Sequence, residues 1–153
     1  LCTLAERESI PSIIPCNHDR FLSPDSMIGE IQRACAESEQ MVPQTPAQLA
    51  AVVYHSLAAC YGEAVSQLRE SRGKSYNALS IIGGGGNAAY LNRLTAETTG
   101  CTVYVGPGEA TAIGNAAAQM FRFGELNSVS EVRRCVRHSF DVTVVQNSKT
   151  RKH

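Results

Sequence analysis

Four consecutive glycines form the segment of this chain with the clearest capacity for chemistry. They are Gly83, Gly84, Gly85 and Gly86, between a β-prone run at 78–82 and a helix predicted at 88–98. Glycines before a helix leave backbone N–H groups unshielded at the positive end of its dipole, where phosphate binds. A tight turn alone would need only one or two glycines. The pattern therefore predicts a nucleotide site at all four.

A dinucleotide site is a less favoured alternative for the same glycines. Gly84, Gly86 and Ala89 satisfy the spacing G-x-G-x-x-A. In dinucleotide-binding proteins an acidic residue at the end of the next strand binds the ribose. Val105 and Gly106 occupy that position here. The missing carboxylate argues against a dinucleotide-binding module.

Charge and hydropathy exclude several partner classes. The 153 residues include 14 basic and 14 acidic side chains, and the formal net charge is zero. Such a chain has no field that would attract nucleic acid or an anionic membrane. Its apolar runs are far shorter than the roughly 20 residues that a membrane span needs. We expect a soluble protein with neither nucleic acid nor membrane as a partner.

The cysteines and histidines favour a reducing compartment and no metal site. The six cysteines are far apart in sequence, without a C-x-x-C pair, and we expect reduced thiols in a cytoplasmic protein. The histidines also lack the spacing of metal ligands, so no metal-binding residue is predicted. The cysteines are Cys2, Cys16, Cys35, Cys60, Cys101 and Cys135, and the histidines are His18, His55, His138 and His153.

Three segments can be distinguished along the chain. Residues 1–22 contain Pro11 and Pro15 and are predicted to be an irregular connector from a missing upstream part, in keeping with a first residue other than methionine. Residues 23–140 are predicted to hold the nucleotide-binding domain. Residues 141–153 end in a polar, basic stretch and are predicted to be a flexible tail.

The middle segment is predicted to be α/β and rich in helix. Ser23-Pro24 is a start signal for the first helix, and Thr45 with Gln48 predicts a capping box for the second. Two strands are too few to cover this much apolar helix, so we expect further strands upstream and an exposed strand edge that favours self-association. The predicted helices span about 24–38, 46–71, 88–98, 109–123 and 128–138, and the strands 78–82 and 102–105.

Five motifs together resemble one family. They resemble the C-terminal part of rhamnulokinases, members of the FGGY group of carbohydrate kinases, which have the actin-like ATPase fold. The resemblance implies the C-terminal portion of an actin-like (ribonuclease H-like) ATPase domain, helix-rich with a small partial sheet. The motifs are Asp19–Pro24, Ile81–Gly85, Leu91-Asn92, Gly106–Asn115 and Phe123–Ser128, and Gly100 belongs to the same resemblance.

The resemblance also implies an activity. The whole enzyme would transfer the γ-phosphoryl group of ATP, with Mg²⁺, to the 1-hydroxyl of the sugar L-rhamnulose. Another FGGY kinase, of the xylulose or gluconate type, is the alternative. Gly83, Gly84 and Gly85 would lie against the nucleotide. The family usually has glutamine and then asparagine where this chain has Asn87 and then Ala88, so Asn87 is the expected polar contact.

The resemblance places the catalytic base outside this chain. Family kinases carry that aspartate in a glycine-rich stretch well upstream, and Asp19, Asp25 and Asp141 do not match it. We therefore expect these residues alone to be inactive as a kinase and assign no catalytic residue among them. Glu109, before the alanine-rich helix, is expected to cap that helix rather than contact ligand.

Overall fold

A computed structural model describes residues 2–147 as six α-helices around a three-stranded sheet. The predicted class is confirmed, since the chain is α/β, helix-rich and has a small sheet. The elements are α1 (Cys2–Ala5), α2 (Met27–Glu37), α3 (Pro46–Arg72), β1 (Ala78–Ile81), α4 (Ala89–Thr99), β2 (Thr102–Val105), α5 (Ala110–Arg122), α6 (Val129–Ser139) and β3 (Thr143–Val145).

Side-chain caps determine where α2 and α3 begin. The predicted start of the first helix at Ser23-Pro24 is wrong, because the Ser26 hydroxyl accepts the Gly29 N–H at 3.2 Å and α2 begins one residue after this cap. Thr45 caps α3 as predicted, accepting the Gln48 N–H at 3.2 Å. The helix ends at Arg72, and the C-cap residue Gly73 has a φ of 59°, which is unfavourable for residues with a side chain.

The sheet has the order β1-β2-β3. The first two strands are parallel, with Ile81 opposite Val105, and β3 runs antiparallel to β2, with Val145 opposite Val103. Residues 143–145, within the segment 141–153 predicted to be a flexible tail, thus form a strand by backbone pairing to β2. Residues 148–153 lie outside the described residues.

The N-terminal segment is more ordered than an irregular connector. It contains α1 and a 3-10 turn at Asp19–Phe21. Ala5, Ile10 and Ile14 are buried in the same cluster as residues of α2 and α3. Ile14 N–H also donates to the buried Ser56 hydroxyl on α3 at 3.0 Å. Burial of apolar side chains therefore makes this segment part of the core despite its prolines.

Two hydrophobic clusters stabilise the fold. The first joins the N-terminal segment, α2 and α3, and includes Tyr90 of α4. The second lies under the sheet and includes Ala96 of α4, Val103 and Val105, with Val145 packed against them. Helix α4 therefore contributes to both clusters, and its first residue follows directly on the turn that leaves β1.

No helix within residues 2–147 is suited to cross a membrane. None of these helices combines the length and the hydropathy that crossing a bilayer requires.

Candidate functional site

The four glycines lie at the carboxyl end of β1, in a 3-10 turn that spans Gly83–Asn87, hereafter the glycine turn. The turn after β2 lies beside it. Gly106 N–H donates to the Ile81 carbonyl at 2.8 Å, and Gly83 N–H donates to the Pro107 carbonyl at 3.4 Å. The carboxyl ends of parallel strands are where open α/β sheets bind ligands. The predicted site residues are thus brought together at the edge where a ligand is expected.

Two of the four glycines are explained by the fold itself. Gly83 has a φ of 76°, which a residue with a side chain rarely adopts. At Gly86 an added Cβ would lie 2.8 Å from Val105 Cγ1, so close packing of the turn on β2 excludes a side chain there.

The other two glycines have no such internal reason. An added Cβ on Gly84 would meet no atom of the described residues within 4 Å, and one on Gly85 would meet only Ile81 Cγ2, at 3.9 Å. Both residues are exposed and have ordinary negative or extended backbone angles, since neither is among the residues with positive φ. Open space beside bare backbone at this position is what a bound group would fill.

Two helix N-termini at this edge lack side-chain caps. Ala88 precedes α4 and Glu109 precedes α5, and neither side chain bonds to the helix. Elsewhere α2, α3 and α6 are capped by Ser26, Thr45 and Ser128. The expected capping by Glu109 is therefore wrong: it occupies the N-cap position, but its carboxylate makes no capping bond. The first N–H groups of α4 and α5 therefore receive no hydrogen bond from the side chain at the N-cap.

Asn92 supports the glycine turn and was not predicted as a site residue. Its Nδ2 donates to the Gly86 carbonyl at 2.8 Å, and the residue is 3% exposed. Its Oδ1 is also buried. Among the side chains of residues 2–147, this oxygen is a buried polar atom without a hydrogen-bond partner. An asparagine on the inward face of a helix, beside Leu91 and Thr95, was the available sequence signal.

Tyr90 anchors the start of α4 next to the turn. Its hydroxyl shares a hydrogen bond with His55 Nε2 at 2.8 Å, and burial raises the pKa of Tyr90 above its ordinary value. The phenol is therefore neutral at physiological pH. Because Tyr90 is held by α3, the N-terminus of α4 has a fixed position behind the glycine turn.

The three aspartates lie away from the glycine turn. Asp19 opens the 3-10 turn near the N-terminus, Asp25 precedes α2, and Asp141 lies between α6 and β3. Among residues 2–147 there is no group of three or more His, Cys, Asp or Glu side chains that could hold a metal ion. Asn87 ends the glycine turn and is exposed. What the glycine turn itself can offer a ligand is backbone N–H groups and the side-chain amide of Asn87.

Comparison with protein families identifies the relatives of this arrangement. Residues 6–123 match the FGGY family of carbohydrate kinases, C-terminal domain. The chain belongs to the FGGY family of carbohydrate kinases. The matched range includes the glycine turn, the Pro107 turn and both uncapped helix N-termini, so this FGGY domain carries the complete edge described above. The resemblance seen in the sequence motifs is confirmed.

Three curated relatives are each named rhamnulokinase. The protein of Oceanobacillus iheyensis is 42% identical over 139 residues, 91% of this chain and 30% of the relative. That of Enterococcus faecalis is 40% identical over 149 residues, 95% of this chain and 30% of the relative. That of Halalkalibacterium halodurans is 41% identical over 142 residues, 93% of this chain and 30% of the relative. The chain thus spans about a third of their length.

Proposed function

We propose that this chain is the nucleotide-binding part of a kinase that transfers the γ-phosphoryl group of ATP to the 1-hydroxyl of L-rhamnulose. The names of the three relatives support the sugar. The family match supports a carbohydrate kinase of the FGGY type, with xylulose or gluconate kinases as the alternative within it. The reaction is proposed for the complete protein, and the family and the reduced thiols favour a cytoplasmic one.

The open space at Gly84 and Gly85 is the observation that carries this proposal. Nothing inside the described residues requires glycine at these positions. A nucleotide phosphate, however, needs close approach to backbone N–H groups, which any Cβ would obstruct. ATP would lie along Gly83, Gly84, Gly85 and Gly86, with the Asn87 amide available to a ribose or phosphate oxygen.

The chemistry left to these residues is positioning and charge compensation. Phosphoryl transfer requires an aligned nucleotide, Mg²⁺ on its phosphates and a carboxylate that accepts the hydroxyl proton. The uncapped N-termini of α4 and α5 would offset phosphate charge. Asp19, Asp25 and Asp141 lie outside the glycine turn, so we propose that these 153 residues bind ATP without phosphorylating sugar.

Amide NMR of the labelled chain tests the nucleotide site, because it detects weak binding residue by residue. We expect MgATP to shift the amide signals of 83–87, and Gly84→Val to weaken that binding about tenfold or more, roughly 1.4 kcal/mol. Gly29→Ala, on α2, is the matched control and should bind like the wild type. Shifts elsewhere, or equal binding by Gly84→Val, would contradict the proposed site.

Two activity measurements test the reaction. These residues should release no ADP from MgATP with L-rhamnulose, and measurable turnover would contradict the proposed lack of a base. In the complete protein, kcat/KM should be highest for L-rhamnulose. A preference for xylulose or gluconate would contradict L-rhamnulose as the proposed substrate. It would not contradict the proposed nucleotide site.

A further inference from the structure

Cys16 and Cys60 bring two sulfur atoms together from distant parts of the chain. Their Sγ atoms lie 3.4 Å apart, although 44 positions separate the residues. Cys16 lies in the N-terminal segment and Cys60 on α3, and both are half-buried. A disulfide bond is about 2.0 Å long, so bonding requires the sulfurs to approach by only ~1.4 Å.

The register of the N-terminal segment on α3 explains this contact. Ile14 N–H donates to the Ser56 hydroxyl at 3.0 Å. Ile14 lies two residues before Cys16, and Ser56 lies four residues before Cys60. Four helical residues advance about 6 Å along the axis, and two extended residues advance about 6.6 Å. Pro15 favours an extended Ile14. From the Ile14–Ser56 hydrogen bond, the two segments advance by nearly equal distances. Cys16 therefore lies beside Cys60.

The remaining cysteines have other surroundings. Cys2 Sγ lies 3.2 Å from the Tyr54 hydroxyl, and Cys101 Sγ donates to the Tyr76 carbonyl at 3.1 Å. Cys35 is buried, and burial raises the pKa of its thiol. Cys135 is exposed on α6.

We propose that Cys16 and Cys60 form a reversible intramolecular disulfide when the protein meets a hydroperoxide. The Cys60 thiolate attacks one peroxide oxygen, the O–O bond breaks, and a sulfenic acid and hydroxide form. The Cys16 sulfur then attacks the Cys60 sulfur, the S–O bond breaks, and water leaves with the Cys16 proton. Two thiols are oxidised by two electrons, and one hydrogen peroxide is reduced to two waters.

A hydrogen bond joins the two thiols. Cys16 donates to Cys60. Burial, and then this hydrogen bond, raise the pKa of Cys16 to about 11. The Cys16 sulfur, 3.4 Å from that of Cys60, is placed to attack the sulfenic acid formed on Cys60. Transient, redox-responsive pairs of this kind are the form in which disulfides usually occur in reducing compartments.

Peptide mapping tests the proposal on the folded chain. After brief treatment with hydrogen peroxide, the protein is denatured, alkylated without reductant and cut with trypsin. We expect peptide 8–20 joined to peptide 34–69 through Cys16 and Cys60, with Cys35 alkylated. Dithiothreitol should separate the two peptides, and the intact mass should fall by two hydrogen atoms before alkylation.

Variants and stability give independent readouts. Cys16→Ser should remove the cross-link and leave Cys60 as an over-oxidised or alkylated thiol, whereas Cys135→Ser should cross-link like the wild type. Oxidation should raise the thermal midpoint of the wild type, because the bond restricts the unfolded chain. Full alkylation of all six cysteines after peroxide, or a cross-link between another pair, would overturn the proposal even if a variant failed to fold.

Discussion

The Asn92 side chain binds the carbonyl of Gly86 across 2.8 Å, so a buried helix residue holds the last glycine of the turn. The donor is fixed by α4, which packs on α3 and against the same face of the sheet as the second hydrophobic cluster. The glycine turn therefore takes its shape from a side chain six residues later, although its own residues are small and partly exposed. Rigid support of this backbone would lower the entropy cost of binding at the proposed nucleotide site.

Replacing Asn92 should loosen the turn. Asn92→Ala removes the donor to Gly86, and we expect a loss of about 1–3 kcal/mol in the free energy of unfolding together with faster amide exchange at 84–87. Hydrogen exchange followed by mass spectrometry measures the second effect. Thr95→Ala is the control, because Thr95 donates to Leu91 on the same helix and has no bond to the turn. Equal exchange in both variants would contradict the supporting role of Asn92.

A side chain at Gly86 should destabilise the fold. In Gly86→Ala the new Cβ would lie 2.8 Å from Val105 Cγ1, which requires β2 and the turn to separate. Overpacking of this kind costs about 1–3 kcal/mol, measured by urea unfolding. Gly84→Ala should cost far less, since its Cβ meets open space. The double variant with Val105→Ala should recover part of the loss, and simple additivity would contradict the steric explanation.

The ion pair between Arg20 and Glu37 should make stability depend on acid pH. Arg20 donates to the Glu37 carboxylate at 2.7 Å, and this bond lowers the pKa of Glu37 below its usual value of 4.5. The stabilisation is present above pH 4.5 and is lost as pH falls through the lower pKa of the folded state. The thermal midpoint of Glu37→Gln should thus fall below the wild type at pH 7 and converge with it in acid. Asp25→Asn, at an exposed carboxylate, should show no such convergence.

Self-association remains a prediction that the surface supports. Helix α5 has no buried residue, and Phe121 and Phe123 near its end are 49% and 79% exposed. Large exposed apolar side chains favour association. Sedimentation velocity should show species larger than a monomer that grow with concentration, and Phe121→Glu with Phe123→Glu should reduce them. Leu22→Glu, at a site 81% exposed, is the control. A strictly monomeric wild type would contradict this prediction.

The long helices and both parallel strands were predictable because their signals are local. Thr45, the apolar stripe and Gly73 define α3, and the predicted end near 71 lies within one residue of Arg72. The strand predicted at 102–105 has the observed bounds. Each of these elements is specified by its own residues, so a single sequence contains the information.

The remaining elements depend on contacts that are distant in sequence. Thr143–Val145 is too short to show alternation and becomes a strand only because β2 offers a free edge. Ile14 is buried against residues of α2 and α3, and its N–H bonds to Ser56, 42 positions later. In the candidate site, the run of glycines was evident from the sequence. The role of Gly86, however, depends on its close packing against Val105 and its hydrogen bond with Asn92. Such pairings are not encoded in local composition.

The position of α4 in both hydrophobic clusters has a consequence for how the protein unfolds. Tyr90 and Ala96 lie on one helix, less than two turns apart, yet they belong to different clusters. Neither cluster can unfold without disturbing α4, because α4 also packs in the other cluster. The two halves should consequently melt in a single cooperative transition, and the glycine turn, at the end of this shared helix, should lose its shape only when both do.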